Sequence, residues 1–309
     1  MSTVQTLVNV KKALSTLNPK QAREMSRRSL HIALNAANPE AYRRMEDFFL
    51  TDLSPARRRE SSYSLTRGAA TGGNYDLVIY DQTVSAPAHA LVFEPDRPHH
   101  IVSRILDRHY DLGVPLARSF FPFRRPFIER VIAKTARENT LFSLATALPD
   151  IIPSFIELPW AIAEFASDTA FLTMNQVRMA FLIAGASDRE VGYLEQKPEI
   201  ATVIGSAFGW RALARQLVGK IPFGGGLIAK AGVAYAGTKV LGLSLEHYYS
   251  IGFTYTRAER DRLYADAFRQ GKKVAQRILT SLRPDLAARY AAADSATAST
   301  PSSPAAALS

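Results

Sequence analysis

A chain of 309 residues can fold as one large domain or two ordinary ones, and it can bury a full hydrophobic core. Its 47% hydrophobic content and mean hydropathy of −0.06 exclude a polytopic transporter. The lack of cysteine excludes both a disulfide framework and a thiolate metal site. A net charge of +10 and a pI near 9.8 call for an acidic partner, either nucleic acid or an anionic membrane surface.

The opening MSTVQTLVNVKKALSTL has no charged leader followed by a long apolar block, which predicts an uncleaved, cytosolic start. Short amphipathic helices are expected over residues 1–53. Asn18-Pro19 and Asn38-Pro39 each set a capping side chain before a proline suited to a first helical turn. They predict helices through KQAREMSRRSLHIALNA and EAYRRMEDFFL. In the second, Tyr42, Met45, Phe48 and Phe49 share a stripe that fits a core face or a membrane-surface helix. Residues 54–74, SPARRRESSYSLTRGAATGGN, have no apolar period and predict a basic flexible linker. Arg57, Arg58 and Arg59 there head a cationic excess, twelve basic against six acidic residues over 1–67.

DLVIY at 76–80 and ALVFE at 90–94 are short runs bounded by turn residues, and they predict two strands. With Ile101, Ile105 and Leu112 at helical spacing behind them, they make a small α/β or β-hairpin element over 75–123. It holds too few strands for a doubly wound domain. From 124 to 283 the chain reads as a helical bundle. A long helix over 127–148 is followed by PDIIPSFIELPWAIAEFA, an apolar stretch holding Trp160 and Phe165. Pro149, Pro153 and Pro159 forbid one straight span there. Asp168 caps the next helix, another covers 195–218, and a charged one covers 257–281. Residues 284–309 are low-complexity and predict a disordered tail.

Between the last two helices lies IPFGGGLIAKAGVAYAGTKVLGLSL, residues 221–245. Pro222, Gly224, Gly225 and Gly226 lead it, and Gly232, Ala236 and Gly237 give it small residues at close spacing, a texture that lets helix backbones approach. As a helix it would be about 37 Å long, enough to cross or skim a bilayer. Lys230 and Lys239 interrupt it on opposite faces. A lysine at mid-bilayer costs about 2.5–3.5 kcal/mol, so simple insertion is marginal. A monotopic or hairpin helix with both lysines snorkelling outward competes with a buried soluble one. Arg257, Arg260, Lys272 and Lys273 lie just beyond, where basic residues hold a helix end on the cytoplasmic side.

Motifs for chemistry are missing. GGGLIAK lacks the spacing of a phosphate-binding loop, and neither G-x-G-x-x-G nor H-E-x-x-H occurs. Gly242 to Glu246 lacks the second glycine of a nucleophile elbow. His99, His100 and His109 with Asp107 could form a metal or acid–base cluster, but adjacent histidines point to different helix faces, which favours plain exposed polar residues. Asp168, Asn175 and Gln176 are polar in an apolar neighbourhood and predict interhelical hydrogen bonds.

ENTLFSLATALPDIIP, SDTAFLTMNQVRMAFLIAGA and FGWRALARQLVGKIPFGGGLIAKAGVAYAGTKVLGLSLEHYY, in that order, resemble the domain of unknown function of YcjF-type bacterial proteins, which often accompanies a Ras-like GTPase. The likeness covers about residues 138–252. It implies a helical, membrane-associated domain without established enzyme activity. Having no phosphate-binding loop, this chain would meet any GTPase as a separate protein.

The expectation is thus a mainly α protein with a C-terminal apolar helical bundle, a small α/β or hairpin element before it and short N-terminal helices. Its expected role is non-enzymatic and cofactor-free. It would dock peripherally, or as a monotopic or hairpin-inserted protein, on the cytoplasmic face of the inner membrane. Anionic lipid is the main partner, with a GTPase in trans and self-association as further ones. The alternative is a soluble helical nucleic-acid-binding protein using the N-terminal arginines, although no reading motif or aromatic–basic interleaving marks it. An enzyme using Asp168 and the histidines ranks last.

Overall fold

The computed structural model describes residues 8–10, 12, 14–15, 17–68, 73–148, 168–205, 226–284 and 287. Asn18 Oδ1 accepts from the Lys20 amide at 2.8 Å and starts α1 (Lys20–Arg27). That helix does not run on through the following apolar residues. The backbone turns extended at Arg28, and Ile32–Asn35 forms strand β1, whose Ile32, Ala33 and Leu34 are wholly buried. A run apolar on both faces suits a central parallel strand better than an amphipathic helix. Asn38 Oδ1 then caps α2 (Pro39–Phe49) by accepting from the Ala41 amide at 2.8 Å.

The stretch expected to be a linker carries α3 (Pro55–Ser62), capped by Ser54, and strand β2 (Leu65–Arg67). Its polarity reflects exposure rather than lack of structure. β3 (Leu77–Asp81) and β4 (Leu91–Phe93) complete a sheet ordered β2-β1-β3-β4 in which every neighbouring pair is parallel. The α/β alternative for this element is therefore the right one. The two strands visible in the sequence are not a hairpin, because β1 and β2 supply the missing half of a parallel sheet.

Helices α4 (His99–Arg108) and α5 (Gly113–Ser119) lead from the sheet to the bundle. The bundle comprises α6 (Phe121–Ala145), α7 (Asp168–Ala186), α8 (Gly226–Ile251) and α9 (Arg257–Leu282). One continuous core joins Ile32, Met45 and Phe49 beside the sheet to Phe123, Phe142, Phe171 and Phe181 in the bundle. The Phe142 and Phe171 rings stack with centroids 3.9 Å apart. The fold is mainly α, with a C-terminal bundle, a small sheet before it and short N-terminal helices.

The membrane expectation is corrected here. Among the described residues no helix is long and apolar enough to cross a membrane. The apolar residues of α8 are spent on protein contacts, since it packs on α6, α7 and α9, and Leu227, Val233, Val240 and Leu241 are buried. Lys239 does not snorkel toward headgroups. Its ammonium donates to Gln270 Oε1 on α9 and lies 5.9 Å from the Tyr235 ring centroid. The inner-membrane location and the lipid partner rested on an apolar surface flanked by basic residues, and among the described residues the apolar part of α8 is packed against protein.

Candidate nucleic-acid interface

Helix α9 is built by its own sequence. Thr256 Oγ1 accepts from the Glu259 amide at 3.3 Å while Glu259 Oε2 accepts from the Thr256 amide at 2.8 Å, a reciprocal capping box. These hydrogen bonds hold the Glu259 carboxyl below the usual carboxylate range. Ala267, Gly271, Ala275 and Leu279 recur every four residues and form the buried stripe against α8. Gly271 sits so close that a Cβ there would lie 2.8 Å from the Gly232 carbonyl oxygen. With one side fixed against α8, the opposite side faces out.

That outer side is cationic. Arg262, Arg269, Lys273 and Arg277 are exposed and fall within one arc opposite the buried stripe. The helix holds seven basic and three acidic residues. Arg269 pairs with Asp266, whereas Arg262, Lys273 and Arg277 make no ion pair among the described residues. Arg262 and Arg277 are about 22 Å apart along the axis. Lys273, Gln276, Arg277, Thr280 and Ser281 line a depression of about 450 Å³, so cations and hydroxyl donors meet on this face. Arg257 and Arg260 extend the charge to the start of the helix, and both are exposed. Lys272 is half-buried, and its stem lies along Gly232.

The N-terminal arginines are differently employed. Arg57 pairs with Glu60 at 2.8 Å and with Asp188 at 2.6 Å, and Arg58 pairs with Asp47. Arg23 pairs with Glu195, Arg27 with Glu190 and Arg28 with Asp76 and Asp111. Arg59 is exposed. Five of the twelve N-terminal basic residues, Arg23, Arg27, Arg28, Arg57 and Arg58, thus stitch α1 and α3 to the rest of the molecule.

Other sequence candidates have local roles. Asn175 Nδ2 donates to Asn139 Oδ1 at 2.9 Å and to Glu138 Oε2 at 3.1 Å. Gln176 Nε2 and Asn139 Nδ2 both donate to Thr238 Oγ1, at 3.1 and 2.8 Å. These side chains form a buried seam across α6, α7 and α8. Asp168 opens α7. Gly226, Gly232, Ala236 and Gly237 are buried in α8, and Lys230 is half-buried. Trp160, Phe165, Pro222, Gly224 and Gly225 lie outside the described residues. No group of histidine and acidic side chains able to hold a metal occurs among the described residues. At the carboxyl ends of β1 and β3, where parallel sheets commonly bind ligands, Asn38 is occupied as a cap and Asp81 accepts from the Thr83 hydroxyl.

One cavity has no sequence signal. It measures about 260 Å³ and is lined by Arg189, Gln196, Glu199, Tyr248 and Tyr249 among others. Burial, then the nearby Glu199 charge, pushes the Tyr249 hydroxyl well above its ordinary value. Gln196 Nε2 donates to that hydroxyl at 3.0 Å. Only the fold brings the end of α8 against residues 189–199.

No protein-family model, curated protein or solved structure matches the chain. The likeness to YcjF-type domains is therefore corrected. It rested on small-residue and apolar runs whose order any tightly packed bundle can share. The GTPase association implied by that likeness falls with it.

Proposed function

We propose that this protein binds nucleic acid through the sugar–phosphate backbone, with the outer face of α9 as the contact surface. The observation that carries the reading is the stripe of Arg262, Lys273 and Arg277, exposed and without ion pairs among the described residues, on a helix clamped by its other side to α8. A rigid row of cations is suited to a rigid row of phosphates, and such contacts position a protein without reading bases. The binding is therefore sequence-tolerant. The role first assigned to the N-terminal arginines passes to α9, because Arg57 and Arg58 already have carboxylate partners.

An electrophoretic shift with a short mixed-sequence duplex tests this. Three phosphate contacts give a slope of about −3 in log affinity against log salt. The triple variant R262E/K273E/R277E abolishes the shift, whereas R57Q/R58Q leaves it nearly unchanged. A wild-type protein that gives no shift at low salt, or a triple variant that shifts like the wild type, defeats the proposal.

A further inference from the structure

Asp188 follows the end of α7 with φ at 59°; two guanidinium groups pair with it, and those of Arg124 and Arg189 lie nearby. Arg57 Nη2, from α3, lies 2.6 Å from Asp188 Oδ2. Arg118 Nη2, from the end of α5, lies 3.0 Å from Asp188 Oδ1. Arg124, in the first turns of α6, reaches back to donate to the Ala117 and Arg118 carbonyls at 3.2 and 3.4 Å, which sets it beside Arg118. Arg189 is next in sequence to Asp188 and donates to the Tyr249 carbonyl at 3.3 Å. The Ser61 hydroxyl donates to the Ser119 carbonyl at 2.9 Å and docks α3 onto this corner.

The charges do not balance. Around these four cations stand Asp188, Glu60, which is 69% exposed, and Glu199, which shares the 260 Å³ cavity with Arg189. Arg57, Arg118 and Arg124 still outnumber Asp188 and the exposed Glu60 by one positive charge in a half-buried corner. Burial pushes the Arg124 guanidinium below its ordinary value; Asp188 opposes this, while Arg57 and Arg189 add to it. One aspartate needs no more than two arginines to fix its geometry, and further like charges nearby only repel. The side chains of Arg57, Arg118 and Asp188 keep 32, 25 and 32% exposure, so a small anion can reach them.

We infer that Arg57, Arg118, Arg124 and Arg189 form a binding site for a phosphoryl dianion, with Asp188 as its internal competitor. Planar guanidinium forks match the oxygens of a phosphoryl group. An anionic phosphoryl group offsets the positive charge that Asp188 and Glu60 leave. This site uses no residue of α9 and stands or falls separately from the nucleic-acid interface.

Calorimetric titration of the full chain with inorganic phosphate, at ionic strength held constant with chloride, tests the assignment. Adenosine 5′-monophosphate in a second arm distinguishes a free phosphoryl group from an esterified one. One saturable site is expected with at least one probe. R57Q and R118Q each weaken it about tenfold, the loss of one charge-assisted contact. D188N tightens it, an effect that a purely structural Asp188 would not produce. Circular dichroism confirms that each variant is folded, and R57Q, on the outer helix α3, serves if R118Q is not. No saturable heat with either probe, folded arginine variants that bind like the wild type, or a D188N that binds no tighter overturns the inference.

Discussion

Asn139 shows how much one side chain can carry. It is fully buried, donates to Thr238 and accepts from Asn175, so three helices meet on its amide. Replacing it with alanine strands partners that cannot reach water. Asn139→Ala should cost about 1–3 kcal/mol in urea denaturation. Two glutamates give opposite pH signatures. Half-burial holds the Glu246 carboxyl above its ordinary range, with Arg125 opposing and Glu129 adding to the rise. Its folded-state pKa exceeds the unfolded one, so its contribution favours folding at acid pH and is lost as pH rises through the folded value. Glu246→Gln should therefore stabilise at neutral pH and make no difference well below pH 4 (about the unperturbed carboxylate range). Glu259 is depressed by its hydrogen bonds to Thr256, so its contribution is present at neutral pH and disappears as pH falls through its folded value. Hydrogen-exchange protection at the first turn of α9, taken relative to the intrinsic amide exchange rate at each pH, should fall on acidification, and Thr256→Ala should remove that response.

At the scale of elements, the α8–α9 contact depends on two glycines. A Cβ on Gly271 would meet the Gly232 carbonyl oxygen and Tyr235 Cβ, both at 2.8 Å. Neither can swing aside, because one is backbone and the other is the root of a side chain. Gly271→Ala should destabilise by about 1–3 kcal/mol despite the higher helix propensity of alanine. Gly232→Ala meets the Phe268 ring edge and the Lys272 stem at 3.1 and 3.2 Å, both adjustable, and should cost less. Thermal denaturation of the pair orders them. The same contact orients α9 and turns its cations outward, so Gly271→Ala should also weaken duplex binding.

For the whole molecule, charge location matters more than the total of +10. Exposed pairs such as Arg27–Glu190 and Arg23–Glu195 hold α1 across the chain, yet each is worth about 0–1 kcal/mol. Stability should change by about 1 kcal/mol or less between low and moderate salt, while duplex binding falls steeply. Measuring both over one salt series separates the stitching charges from the free ones.

Local signals in the sequence determined the long helices, the Asn38 cap, the charged character of α9 and two of the four strands. Each of these is encoded within a few residues, as a hydrogen bond to the next turn or a period of 3.6. β1 escaped because a short apolar run matches either state until a neighbouring strand pairs with it, and β2 because Leu65–Arg67 is too short and polar to show a period. The fate of α8 was likewise undetermined, since small and apolar residues suit lipid and protein neighbours equally. Only tertiary structure decided which cations stay free. Arg57 finds Asp188 far along the chain, whereas Lys273 finds no acid among the described residues, and no local pattern records either outcome.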